Sequence, residues 1–114
     1  MSNSPSTIAR GNLVGEWVLS VTLSPSSVAA NTTAEETFAV LGLKMGDLVS
    51  VNKPTAQAGL GIVGTRVSAI NTLAITFSNN TASPIVPTAS EVYAVGVKRP
   101  ENLLNGASIL TQLV

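Results

Sequence analysis

The carboxylates come first, because they are the groups here best able to do chemistry. Glu16, Glu35, Glu36, Asp47, Glu91 and Glu101 make up the full set. A glycosidase needs two such groups facing each other across a cleft. No two of these share a local motif, and most stand at strand starts or turns, where a solvated charge is ordinary. A second candidate, Gly59-Leu60-Gly61-Ile62-Val63-Gly64, spells G-x-G-x-x-G. A dinucleotide turn of that form needs a strand before it and a helix after it. Here β-branched residues follow and no βαβ spacing exists, so the match is read as chance. The basic residues Arg10, Lys44, Lys53, Arg66, Lys98 and Arg99 are scattered and balanced by the acids, giving a formal net charge of zero. A protein that grips nucleic acid carries a basic footprint, and this one has none. Lys98-Arg99 could meet a phosphate or an acidic partner, but a solvated strand end is the simpler role.

Histidine and cysteine are both absent. That excludes Ser-His-Asp and Cys-His catalysis within one chain, thiolate and imidazole metal sites, and any disulfide. The chemistry therefore points to a non-enzymatic protein with no cofactor and no metal. Trp17 and Tyr93 could stack on a sugar or base. The only other aromatics are Phe38 and Phe77, so burial is expected of Trp17 and Phe77.

The elements that must position these residues read as strands. Trp17, Leu19, Val21 and Leu23 alternate with Val18, Ser20 and Thr22, a period of two with one apolar face. Thr33 to Val40 opens with Thr33-Ala34-Glu35-Glu36, a possible capping box. The β character of Thr37-Phe38-Ala39-Val40, followed at once by Gly42, favours a strand. Lys44-Met45-Gly46-Asp47 is a tight turn. Leu48 to Asn52 is a short strand stopped before Pro54. Residues 55–61 form a loop of small residues that allows another backbone to approach. Ile62 to Ala69 is a strand with an internal glycine, suggesting a bulge. In Leu73 to Ser78 the residues Leu73, Ile75 and Phe77 point inward, and Ala74, Thr76 and Ser78 outward. Asn79 to Pro84 is a loop, and Ile85-Val86, between Pro84 and Pro87, is extended but poorly laddered. Glu91 to Val97 is the last strand. Six or seven short strands with Gly, Pro and Asn turns predict an all-β fold, an antiparallel β-sandwich or small barrel. Trp17, Leu19, Val21, Phe38, Leu73, Ile75 and Phe77 are its expected core.

The chain has 114 residues. A single domain of that size buries about two-thirds of its unfolded surface. Residues 1–15 read as an extended arm, 16–99 as the sandwich and 100–114 as an apolar tail. The arm has no apolar run of signal-peptide length, and nothing in the chain approaches the roughly 20 apolar residues of a membrane span. With 45% apolar and 11% charged residues, the surface is poorly defended against association, so burial against partners is expected. The expected contact residues are Ile8, Arg10 and Leu13 in the arm and Gly59, Leu60 and Gly61 in the small-residue loop. In the tail they are Leu103, Leu104, Ile109, Leu110, Leu113 and Val114. Such a tail either packs on its own sandwich or on a neighbouring subunit, by strand addition or arm exchange.

Several stretches together resemble small virion-associated proteins of tailed bacteriophages. They are the apolar strand into Asn52-Lys53-Pro54, the Gly59-Leu60-Gly61-Ile62 loop, Arg66-Val67-Ser68-Ala69, Leu73 to Phe77 ending in Asn79, and the return from Pro87 to Tyr93. With Thr33 to Leu43 upstream, the resemblance covers about 65 of the 114 residues. It implies an antiparallel, jelly-roll-like β-sandwich mounted on a virion and made in the host cytoplasm. The implied class is the capsid decoration or cement proteins, which clamp major capsid subunits. The expected partners are the major capsid protein or other virion proteins and further copies of the chain, as a dimer or trimer, with no nucleic acid and no membrane. The alternative is a tail or fibre module binding a host receptor or glycan, which an exposed Trp17 or Tyr93 beside a cleft would favour.

Overall fold

The computed structural model describes residues 13–101. Six strands form two three-stranded antiparallel sheets. The first sheet has the order β1 (Leu13–Leu23), β6 (Glu91–Pro100), β3 (Leu48–Asn52); the second has β2 (Thr32–Ala39), β5 (Thr72–Asn79), β4 (Leu60–Ala69). Every connection except the β4–β5 hairpin crosses from one sheet to the other. The chain is thus an all-β antiparallel sandwich, as its alternation predicts.

Cross-strand rows build the core. In the first sheet Trp17, Val97 and Val49 lie side by side, then Leu19, Val95 and Val51, then Val21 and Tyr93. In the second, Phe38, Leu73 and Val67 form one row and Ala34, Phe77 and Ile62 another. The central strands contribute the driest residues: Leu73, Ile75, Phe77, Tyr93, Val95 and Val97 are all at most 1% exposed. Trp17, Leu19, Val21 and Phe38 are partly buried and pack against that cluster.

Between the two apolar rows of the second sheet, the register puts Glu36, Ile75 and Thr65 in line. The two polar members sit on edge strands and close the sandwich sideways. The Thr65 hydroxyl donates to the Val49 carbonyl at 2.9 Å, tying β4 to β3. The Glu36 carboxylate accepts from the Ser26 backbone N–H at 2.8 Å, tying β2 to the β1–β2 loop. Most buried polar groups in folded proteins have such partners.

Several boundaries differ from those the sequence suggests. β1 begins at Leu13 rather than Glu16, and β6 runs through Pro100, so the strands take in residues assigned to arm and tail. Leu13 lies opposite Pro100, and this mutual pairing extends both strands. The bulge expected at the glycine of β4 is present, as a register shift between Ile62 and Gly64. Ile85 is extended and makes only an isolated bridge, to Val28. Ala74, expected to point outward into solvent, is fully buried. It lies on the outer side of the central strand, flanked in register by Thr37 and Arg66. Arg66 reaches across that strand to Glu35, with hydrogen bonds of 2.8 and 2.9 Å.

Truncating a residue of the dry central row should be far more damaging than truncating an outward one. Leu73→Ala is expected to lower stability by about 2–5 kcal/mol, and Val18→Ala by no more than about 0.5 kcal/mol. Urea unfolding of both variants checks this, and similar midpoint shifts would contradict the layer assignment.

Candidate interaction face

The charged residues are drawn into structural pairs. Arg66 holds Glu35, and this keeps the Glu35 carboxyl below its ordinary value. Lys53 Nζ lies 3.0 Å from Glu91 Oε1, both side chains being nearly buried. The Thr55 hydroxyl donates to the other Glu91 oxygen and, with Lys53, holds that carboxyl low. Lys98 sits 3.9 Å from Glu16 in the open, while Glu101 is exposed. Among the described carboxylates, then, Glu16, Glu35, Asp47 and Glu91 each face a cation and Glu36 anchors a loop. The solvated-charge reading fails for Asp47 and Glu91, which are buried. The G-x-G-x-x-G run enters β4, which continues as strand to Ala69. This is the wrong context for a dinucleotide turn.

The tightest of these pairs sits where both ends of the sandwich chain leave it. Arg99, near the end of β6, forks onto Asp47 with two hydrogen bonds of 2.8 Å and donates a third, also 2.8 Å, to the Gly42 carbonyl. The Lys44 backbone N–H adds a 3.0 Å bond to Asp47. The Arg99 guanidinium also lies 4.8 Å from the centre of the Trp17 ring, a cation–π distance. Arg99 is therefore a clasp joining β1, β6 and the β2–β3 loop, in place of the solvated strand end expected of it. Its charge, delivered through those hydrogen bonds, pushes the Asp47 carboxyl below the ordinary range. Sequence reading misses this clasp because Asp47 and Arg99 are 52 residues apart. The local sign was the Lys44–Asp47 turn, closed by a 3.1 Å bond from the Asp47 N–H to the Lys44 carbonyl.

What stays open includes several large apolar residues. On the outer face of the first sheet, Val18, Gly96 and Ser50 form one row and Glu16, Lys98 and Leu48 the next. Gly96 has no side chain to fill the middle; a Cβ there would lie 2.9 Å from the Ser50 hydroxyl. The result is a shallow hollow of about 460 Å³, flanked by Val18 and Leu48, which are 70% and 59% exposed. Next to it, at the pole where the chain leaves, stand Leu41, Met45 and Ile70, all strongly exposed. Asn71, with φ 56°, holds the two turns that carry Leu41 and Ile70 together. Its side-chain oxygen accepts from the Gly42 N–H at 2.9 Å, and its own N–H donates to the Leu43 carbonyl at 2.8 Å. Exposed apolar residues gathered in this way make the face a candidate contact surface.

The expected contact residues distribute unevenly. Ile8, Arg10, Leu103, Leu104, Ile109, Leu110, Leu113 and Val114 lie outside the described residues. Leu13 starts β1 and is half-buried. The backbone approach expected of the small-residue loop is made within the chain. Gly59, at φ 81°, lies against Asn80 and Thr81, and its carbonyl accepts the Asn80 N–H at 3.0 Å. Gln57 fastens the same loop to Val86 and Thr88. Leu60 packs on the core, and Gly61 faces open space. Tyr93 is fully buried, and its phenol is pushed up to about 12, first by burial and then by the charges of Glu91 and Glu36. One face of Trp17 is taken by Arg99. Comparison with family models, curated proteins and solved structures finds no match to this chain.

The clasp gives stability a pH dependence of defined sign. Asp47 and Glu91 both have folded-state values below their unfolded ones, so the unfolded chain binds those protons more tightly. Their contribution is complete above the ordinary carboxylate range, near pH ~4. It is lost as pH falls from there through the depressed folded values. The urea midpoint should be flat between about pH 7 and 5 and fall below about 4. Asp47→Asn should lose roughly 1.5–3 kcal/mol at neutral pH, the worth of hydrogen bonds to a charged group, and show a shallower acid decline. An unchanged acid decline in the variant would remove Asp47 from this account.

Proposed function

We propose that this chain is a non-enzymatic structural protein of a tailed-phage virion, a capsid decoration or cement subunit that binds and stabilises major capsid subunits and associates with itself. The observation that carries this reading is the division of labour on the surface. The charged side chains are largely occupied by internal pairs. Exposed large apolar residues gather on the outer face of the first sheet and at the adjoining pole. The resemblance of about 65 residues to small virion proteins supplies the class of partner. In this reading the sandwich is a rigid block and its apolar face and pole sit on capsid subunits. Each 100 Å² of apolar surface removed from water there contributes about 2.5 kcal/mol before the costs of association. The segment 102–114 leaves from the same pole. It is uncharged and holds Leu103, Leu104, Ile109, Leu110, Leu113 and Val114, so it adds apolar area to the contact. The alternative, a fibre module stacking aromatics on a glycan, has little to stack with, since Tyr93 is buried and Trp17 faces Arg99.

Removal of residues 102–114 should reduce the number of copies retained on purified particles and lower the temperature at which those particles open. Quantitative gel analysis and a thermal-release assay read the two effects. Full occupancy together with an unchanged opening temperature would sink the proposal for this segment.

A further inference from the structure

The sandwich has four edge strands, and three of them are protected against pairing with another chain. β3 is five residues long and lies against β4 through the Thr65–Val49 hydrogen bond. β2 carries Glu35 and Glu36. β4 is broken by register shifts between Ile62 and Gly64 and between Val67 and Ala69. Short length, charge and bulges are the devices by which natural sheets blunt their edges. β1 has fewer of them, namely Glu16 and one register shift at its start, between Leu13 and Gly15. It is 11 residues long, Leu-Val-Gly-Glu-Trp-Val-Leu-Ser-Val-Thr-Leu, with no proline, no lysine and a single charge. Its pairing with β6 is unbroken from Gly15 to Leu23. Among the described residues, its backbone groups bond to no element other than β6.

We propose that β1 is a self-pairing edge. A second copy docks its own β1 antiparallel to it about a two-fold axis through Val18, fusing the two first sheets into one six-stranded sheet. This inference deepens the self-association in the proposed function and rests on that part alone. Three observations select a second copy and this register. The strand is self-complementary. Centring on Val18 uses all 11 residues, pairing Leu13 with Leu23 of the partner, Gly15 with Val21 and Trp17 with Leu19. Each inward residue then meets an inward residue, whereas an offset of one along the partner would match inward with outward positions. The charge distribution fits as well. Glu16 lies opposite Ser20 of the partner, so the two Glu16 carboxylates stand about 13 Å apart along the strand, beyond the ~8 Å screening length at physiological salt. Centring on Glu16 instead would set them face to face. Finally, the residue on the axis is Val18, among the most exposed apolar side chains of the domain at 70%. An isologous two-fold contact closes on itself and leaves no further edge of this kind.

The chain's lack of cysteine makes the test clean. In the full-length protein, Val18→Cys places two thiols opposite each other on the axis, at a Cα separation of about 4.5–5.5 Å that a disulfide spans. Mild oxidation should convert most of it to a covalent dimer. Val92→Cys, also outward but on central strand β6, should form no covalent dimer under the same oxidation. Wild type should show twice the monomer mass by light scattering. Val18→Lys, which sets two like charges opposite each other, should weaken the dimer at least ~tenfold, while its urea midpoint matches wild type when both are measured dilute enough to be monomeric. A monomeric wild type at tens of micromolar would overturn the proposal. So would Val18→Cys cross-linking no faster than Val92→Cys. If deletion of residues 102–114 dissolves the dimer while Val18→Lys leaves it intact, the tail is the interface and the edge pairing is wrong. These readouts use the free protein, so their failure is separate from a failure of particle occupancy.

Discussion

The dry contact between the two central strands is what the rest of the domain depends on. Leu73, Ile75 and Phe77 of β5 and Tyr93, Val95 and Val97 of β6 are almost wholly removed from solvent. There is no disulfide, and among the described residues no helix, to supplement them. A sandwich of this size has little redundancy, because each sheet is only three strands wide and has two edges. The flanking strands and loops then serve to keep water out of that contact. Trp17, Leu19, Val49 and Val51 line it on one side, and Phe38, Leu60 and Ile62 on the other. The crossing loops add Val28, Val40 and Leu43 as plugs. Asn79 shows how the plugs are held. It is buried, and its amide donates to the Val28 and Ser83 carbonyls while its oxygen accepts from Thr81.

The same need explains where the charges went. A sandwich whose strands cross between sheets at nearly every connection has loops that must be fastened at both poles. Arg99–Asp47 does this at one pole, joining β6 to the β2–β3 loop over Trp17. Lys53–Glu91 with Thr55 does it near the start of β6. These pairs leave the outer face of the first sheet with little charge beyond the loose Glu16–Lys98 pair. Exposed Val18 and Leu48 flank the hollow over Gly96. The low charge content is thus unequally distributed, and the apolar surface it fails to cover is gathered on one face and one pole.

Much of the fold was legible from alternation alone. β3 was bounded at Leu48 and Asn52, the strand reading of Thr33 to Val40 prevailed over a capped helix, and the glycine bulge in β4 was visible as a glycine within a β-branched run. The helix signal at Thr33-Ala34-Glu35-Glu36 lost because its carboxylates found tertiary partners, Arg66 and Ser26, on a strand. The site was far less legible. Asp47, Glu91 and Arg99 looked like solvated ends because nothing within a few residues of each reveals a partner. The small-residue loop looked like a docking surface for another chain, yet its Gly59 lies against Asn80 and Thr81 of its own.

By itself, the sequence determined the all-β class, the inward sets of β1 and β5 and the exclusion of histidine and cysteine chemistry. These follow from residue type and a period of two, which are local properties of the chain. Only the tertiary structure decided which strands are central, which edges are open, and which charges are buried. Those depend on long-range register, which sets Leu13 opposite Pro100, Gly96 between Val18 and Ser50, and Arg99 over Asp47. Alternation specifies the face a residue takes but carries no information about its cross-strand neighbour, and here the neighbours make the surface.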